Sequence, residues 1–463
     1  MNRKRRGGFS ILAAVLAVML ALFLGLLFWL LHGNEEPERI LQGAAGTETL
    51  SVSGQASPPE NSGQDVPGDG SEQPERTEEN SPVVIIGAEE AGENDGSGSS
   101  DGEGELENSS EDAVPEEEIN LLFAGDVFLS SHVLNAYDTA GGIGGVLDEE
   151  LRQVIQASDY FMVNQEFPFS DRGIAAEDKQ FTFRLPPSRV HLLQEMGIDM
   201  VTLANNHSLD FGTDALLDTC RTLDEAGIRY VGAGENMARA RQLETVEVKG
   251  KTIGFLGSSR VIPVYDWTAG EQKPGVAITY DPGMLLKDIA AAKQVCDYVV
   301  VYVHWGKEKA VTPEEYQQTM GRQYIDAGAD LVIGSHPHVL QGIEEYKGKN
   351  IVYSLGNFCF GGNSYPSDMD TMIFQQTFTV DKNGVKADNV TNVIPCSISS
   401  EYDYNNYQPT PAQGDEADRI LAKIQERSSW ITPAETSEPI GESSQESADL
   451  SDSDSGSEDS LQE

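Results

Sequence analysis

Positive charge is scarce in this chain: 31 Lys and Arg stand against 76 Asp and Glu, a net charge of −45. A surface that acidic repels phosphate backbones, which excludes nucleic-acid binding through a generic basic face. Cysteine is scarce as well. Cys220, Cys296, Cys359 and Cys396 form no CxxC pair and make no disulfide framework in a chain of 463 residues. Cys220 and Cys296 fall in amphipathic segments and read as small buried hydrophobes. A Cys359–Cys396 bridge stays open for an oxidising compartment, because spacing alone does not show that two Cβ atoms meet. Gly232, Gly234, Gly361 and Gly362 stand outside any GxGxxG or P-loop context, so no nucleotide site is assigned. No internal repeat of solenoid period is visible.

The negative charge is unevenly spread. Residues 32–118 hold about 24 acids against 2 bases, residues 401–463 about 16 against 3, and residues 119–400 about 36 against 22. The flanks therefore read as solvated polyanionic segments around an ordinary, mildly acidic domain. Residues 32–118 are rich in Gly, Ser, Pro, Glu and Asp and poor in aromatics. Such a composition buries too little apolar area to offset its ordering entropy, so we expect a disordered acidic stalk. The extension 401–463 has the same character after about residue 428.

One long apolar run is present. Phe9 to Leu31 is uncharged and long enough to cross a hydrocarbon core of about 30 Å. Arg3, Lys4, Arg5 and Arg6 precede it within residues 1–8, while Glu35, Glu36 and Glu38 follow. The positive-inside rule puts that basic tail in the cytoplasm and the main domain outside. A cleaved signal peptide would have a shorter apolar region and a small-residue cleavage site. This run ends in Phe28-Trp29-Leu30-Leu31, which favours an uncleaved single-pass anchor.

Between the flanks, strand and helix patterns alternate. Apolar runs at Ile119–Gly125, Tyr160–Val163, Asp199–Ala204, Tyr298–Val303 and Asp330–Ile333 are separated by stretches with helical apolar spacing. Those stretches are Arg189–Met196, Thr213–Ala226, Met284–Val295 and Pro313–Ala327. The alternation predicts an α/β fold whose mostly parallel sheet is covered on both faces, with an antiparallel addition after Gly342. Each apolar run stops at residues suited to metal binding or acid–base work. They are Asp126; Asn164 and Glu166; Asn205, Asn206, His207 and Asp210; His304; and His336 and His338. In parallel sheets ligands gather beyond the carboxyl ends of the strands. A single histidine there is usually a structural hydrogen-bonder. Four of the chain's seven, with carboxylates beside them, point to a site for Zn, Mn or Fe.

These runs carry a resemblance. Phe123-Ala124-Gly125-Asp126, Asn164-Gln165-Glu166, Ala204-Asn205-Asn206-His207-Ser208-Leu209-Asp210-Phe211-Gly212, Val303-His304-Trp305-Gly306, Gly334-Ser335-His336-Pro337-His338-Val339 and Ser354-Leu355-Gly356-Asn357-Phe358 resemble, in order, the CapA family of bacterial capsule synthesis proteins. Within them, Gly125-Asp126, Asn205-Asn206-His207, His304 and Gly334-Ser335-His336-Pro337-His338 look like the motifs of calcineurin-like metallophosphoesterases. The resemblance implies a metallophosphoesterase-like α/β sandwich with mixed sheets over residues 119–400. It implies that Asp126 and His338 bind one divalent metal, that Asn206, His304 and His336 bind a second, and that Glu166 bridges them. His207 would donate a proton to a leaving group, oriented by Asp210. Asn164, Asn205 and Asn357 would support the site or touch substrate.

Phe128 departs from the metallophosphoesterase pattern, which has histidine there. The metal count therefore stays open unless His132 swings in, and so does the choice between a working hydrolase and a scaffold kept for binding. The family implies a bacterial cell-membrane location and a role beside capsule-polymer synthesis machinery, with an anionic polymer such as poly-gamma-glutamate as partner. The alternative is a metal-dependent phosphoesterase or other hydrolase acting outside the cell.

Overall fold

The computed structural model describes residues 117–381, 384–385 and 390–433. The basic tail 1–8, the apolar run 9–31, almost all of the acidic linker 32–118 and the acidic segment after 433 lie outside the described residues. Among the described residues no helix is long and apolar enough to cross a membrane.

The first part of the chain builds one sheet. Strands β1 (Glu117–Phe128), β2 (Tyr160–Gln165), β3 (Met200–Thr202) and β4 (Arg229–Val231) lie side by side and parallel. The second sheet follows in sequence. It contains β5 (Glu244–Val248), β6 (Lys251–Ser259), β7 (Tyr298–His304), β8 (Leu331–Ser335), β9 (Ile343–Tyr346) and β10 (Lys349–Val352), in spatial order β9–β10–β8–β7–β6–β5. The chain then returns to the first sheet. β11 (Asn357–Phe360) pairs in parallel with the end of β1, while β12 (Asp370–Asp381) pairs antiparallel with its start and β13 (Val390–Ser397) with β12.

Apolar burial sets the layering. β1, β2, β7 and β8 are apolar on both faces, as strands covered on both sides must be. Phe123, Met162, Phe255, Val300, Tyr302 and Phe374 fill the space between the two sheets. Tyr298 stacks on Phe378 across it at 4.3 Å, and the Tyr302 hydroxyl donates to the Ala124 carbonyl at 2.9 Å. Helices α1 (Ser131–Ala140), α2 (Glu149–Ala157) and α3 (Gly212–Ala226) cover the outer face of the first sheet. Helices α4 (Gly283–Ala292) and α5 (Glu315–Ala327) cover that of the second. The single parallel sheet read from the alternation gives way to two mixed sheets packed on each other with helices outside, the sandwich that the resemblance implies. Sequence order shows alternation but not which strands pair, and the chain changes sheet after β4 and again after β10.

The fold also continues past residue 400. Helix α6 (Gly414–Ser429) sends Ala417, Ile420 and Ile424 into the space between the sheets. Its 417–420–424 spacing is an apolar stripe, hidden in the sequence by the charges around it. All four cysteines are buried and free, so Cys359 and Cys396 form no bridge.

Candidate metal centre

The carboxyl ends of β1, β2, β3, β7 and β8 meet at one edge of the two packed sheets, and the polar residues that end them meet there too. β1 delivers Asp126 through a break in its pairing between Phe123 and Asp126. At that break a Cβ on Gly125 would lie 1.8 Å from the Gly356 carbonyl oxygen, so only glycine lets the two strands cross. Asp126, Asn164, Glu166 and His304 are fully buried, and His336 nearly so.

Two groups of ligand atoms result. Those of Glu166, His304 and His336 lie within 4.8 Å of one another, and so do those of Asp126, Glu166 and His338. Glu166 belongs to both. The Asn206 side-chain oxygen sits 2.8 Å from His304 Nε2, beside the first group. Asn164 serves both groups from behind, donating to Asp126 at 2.8 Å and to Glu166 at 3.2 Å, while its oxygen accepts from Asn205 at 3.0 Å. Asn205 and Asn164 are therefore supports. Asn357 lines the cleft, and its oxygen lies 2.9 Å from His338 Nδ1. His336 and His338 both have left-handed backbone, with φ of 97° and 57°, a strain that persists only where surroundings over-determine it.

The residues fit a cation on two counts. Glu166 Oε2 and His336 Nδ1 are buried without a hydrogen-bond partner, a costly state that a bound cation would relieve. The electrostatics agree. Burial, and then Asp126 beside it, push the Glu166 carboxyl well above the ordinary carboxylate range. Burial and the neighbouring His338 push His336 down to about 3, leaving it neutral with its lone pair available. His304 is driven well below the ordinary range by burial and then by His336 and His338. Burial works against the charge of His338 too, but Glu166 and Asp126 outweigh it and raise the group to about 10. A cluster with two buried carboxylates is short of positive charge.

His207 lies beside the cluster. Its Nδ1 lies 2.7 Å from Asp210 Oδ2 and 3.0 Å from the Lys179 ammonium, so a carboxylate that favours a proton there and a cation that disfavours it meet at one nitrogen. Burial lowers the His207 pKa, and Asp210 partly offsets this. His132 does not swing in: it is exposed and stacks on Tyr407 at 5.7 Å. Phe128, in the position of the missing ligand, instead stacks on Phe183 at 3.7 Å.

The cluster opens into a cleft of about 610 Å³ whose walls include Lys179, Phe183, Glu308 and Phe360. Sequence reasoning missed all four. Lys179 ion-pairs with Asp210 from an irregular loop with no periodic pattern to mark it. Three nearby arginines are engaged by other groups: Arg189 pairs with Asp138, Arg184 covers Phe211, and Arg260 covers Tyr316.

Residues 120–362 match the family described as bacterial capsule synthesis protein PGA_cap. The chain is similar to the capsule biosynthesis protein CapA of Bacillus anthracis, 32% identical over 295 residues, which cover 61% of this chain and 68% of that protein. It is also similar to the PGA biosynthesis protein CapA of Bacillus subtilis (strain 168), 31% identical over 277 residues, covering 59% and 71%. Among solved structures it is similar to the NAD nucleotidase of Haemophilus influenzae, with 13% identity and a TM-score of 0.35, covering 67% of this chain and 63% of that one.

Proposed function

The chain belongs to the PGA_cap family of bacterial capsule synthesis proteins, and from that premise we propose that it takes part in the synthesis, export or anchoring of an anionic capsule polymer of the poly-gamma-glutamate type. The observation that carries this reading is the buried cluster of Asp126, Glu166, His304, His336 and His338, which lies within the matched segment and opens into a cleft. An acidic domain repels a polyanion unless something local reverses the field.

A divalent cation (Mn, Zn or Fe) held by Glu166 with His304 and His336, or with Asp126 and His338, would supply Lewis acidity and that positive charge. The chain's own residues do the rest. Asn164 fixes Asp126 and Glu166, and Asn357 orients His338. Asp210 holds the His207 ring through Nδ1, which leaves Nε2 free to exchange a proton with a bound group. We place the domain outside a bacterial cell membrane, held by residues 9–31 with the N-terminus in the cytoplasm, beside the polymer-synthesis machinery. The basic residues before the apolar run and the acidic ones after it support that orientation.

A second reading is metal-dependent hydrolysis of a phosphoester or amide, favoured by the His207–Asp210 pair beside the cluster. Complementation of a strain lacking the protein tests both. Surface polymer should return with the wild-type chain and fail with His336→Ala. If His336→Ala and His207→Ala both restore polymer fully, the cleft is unused and the protein is an assembly scaffold. If His207→Ala fails as well while its metal stays bound, a proton-transfer step is required.

A further inference from the structure

One loop, Asp171–Arg184, builds a whole wall of the cleft. Its ends are tied together: Ser170 N–H donates to the Leu185 carbonyl at 2.8 Å, and Leu185 N–H donates to the Pro168 carbonyl at 3.0 Å. At Gly173 (φ 90°) a Cβ would lie 1.9 Å from the Phe211 carbonyl oxygen, so the loop presses directly on the segment that carries His207 and Asp210. Asp210 is the post on which the loop hangs. Its backbone carbonyl accepts from Ala176 N–H at 2.8 Å, and its carboxylate accepts from Phe183 N–H at 2.6 Å and from the Lys179 ammonium. The loop is thus a fixed wall, pinned to the same carboxylate that orients His207.

What the wall presents is apolar. Phe183 stacks on His207 at 4.1 Å and on Phe128 at 3.7 Å, and Phe360 continues the surface to His338 with ring centroids 5.0 Å apart. Phe181 extends it to the rim, 62% exposed. Single exposed aromatics are ordinary, but one continuous with an aromatic wall beside a polar cluster is the layout of a selective pocket.

We propose that this loop selects the ligand: the cleft takes an anionic group carried on an apolar ring or alkyl segment in preference to the bare anion. The headgroup, phosphate or carboxylate, sits at the cluster, and the apolar segment lies on the exposed Phe181 ring and against the edge of Phe183, whose two faces are taken by Phe128 and His207. The proposal rests on the cluster holding a cation, as read above.

The test uses the full chain with Mn²⁺ and two pairs of probes, phenyl phosphate against inorganic phosphate and benzoate against acetate, with binding measured by calorimetry. The ring-bearing member of at least one pair should bind about tenfold more tightly, and that pair names the headgroup. Phe181→Ala, exposed and therefore harmless to folding, should remove about threefold or more of that preference while the bare anion binds as before. Phe183→Leu should weaken the preference further. Equal binding within both pairs, or a preference untouched by both substitutions, overturns the proposal and leaves the cation site standing. Uptake of Mn²⁺ with none of the four anions bound also overturns the proposal and leaves the cation site standing, whereas failure to take up Mn²⁺ ends the cation reading and the proposal together.

Discussion

Asn164 and His336 do different work in one small volume, and substitutions should separate them. His336 offers a buried, neutral nitrogen with no protein partner, whereas Asn164 only holds Asp126 and Glu166. Loss of a supporting partner typically lowers metal affinity roughly 10- to 100-fold. We expect Asn164→Ser to fall in that range, His336→Ala to exceed it, and His207→Ala to leave affinity near wild type. Titration of the metal-free protein with Mn²⁺ checks the order. If His336→Ala bound as tightly as Asn164→Ser, His336 would not be a direct ligand. These residues were legible in the sequence because each closes an apolar run, and strand ends at one sheet edge must come together. Lys179 and Phe183 were not. They sit in a loop whose place depends on a carboxylate far along the chain, and no local pattern records that.

At the scale of elements, helix α6 shows how charge can hide a core segment. It closes one end of the space between the sheets with Ile420 and Ile424 buried and a row of ion pairs beside them. Arg419 binds Asp370 through two hydrogen bonds of 2.7 Å, and Lys423 reaches both Asp368 and Asp370. Ile424→Ala should cost about 2–5 kcal/mol, the range for emptying a buried aliphatic site; a cost below about 1 kcal/mol in urea unfolding would mean the helix is only loosely docked. Asp370 adds a pH dependence. Burial disfavours its charge, but Arg419 and Lys423 outweigh that and hold its carboxyl below the usual carboxylate range. A depressed native value stabilises the fold above the unfolded pKa of about 3.9 and is lost as pH falls through the lower native value. Asp370→Asn should therefore lower stability by about 1–2 kcal/mol at pH 7, with Arg419 half exposed to solvent. The gap to wild type should narrow as pH falls below the unfolded value and close once it is below the depressed native one. A gap that persisted there would point to packing rather than charge. The parallel units were readable from their strand–helix alternation. The partition into two sheets was not, because it depends on which edges the chain chooses when it crosses over.

For the whole molecule, the charge map and the position of the cleft bear on the proposal that the domain is anchored outside a membrane. Most of the net charge of −45 lies in the flanks, and the mildly acidic domain between them has its candidate anion site confined to one cleft. A polyanion would then meet repulsion everywhere except at a cation held in that cleft, so attachment should be local and salt-sensitive. Such a site serves a polymer outside the cell only if the domain is outside. Arg3, Lys4, Arg5 and Arg6 before the apolar run, against Glu35, Glu36 and Glu38 after it, predict that orientation. An alkaline-phosphatase reporter, active only beyond the cytoplasm, fused after Glu463 should be active. Replacing the four basic residues with Ser or Asn should reduce that activity by weakening the signal that retains the N-terminus. An inactive reporter in the unaltered chain, with a cytoplasmic reporter active at the same point, would put the cleft on the inner face. The protein's action on polymer would then have to precede export.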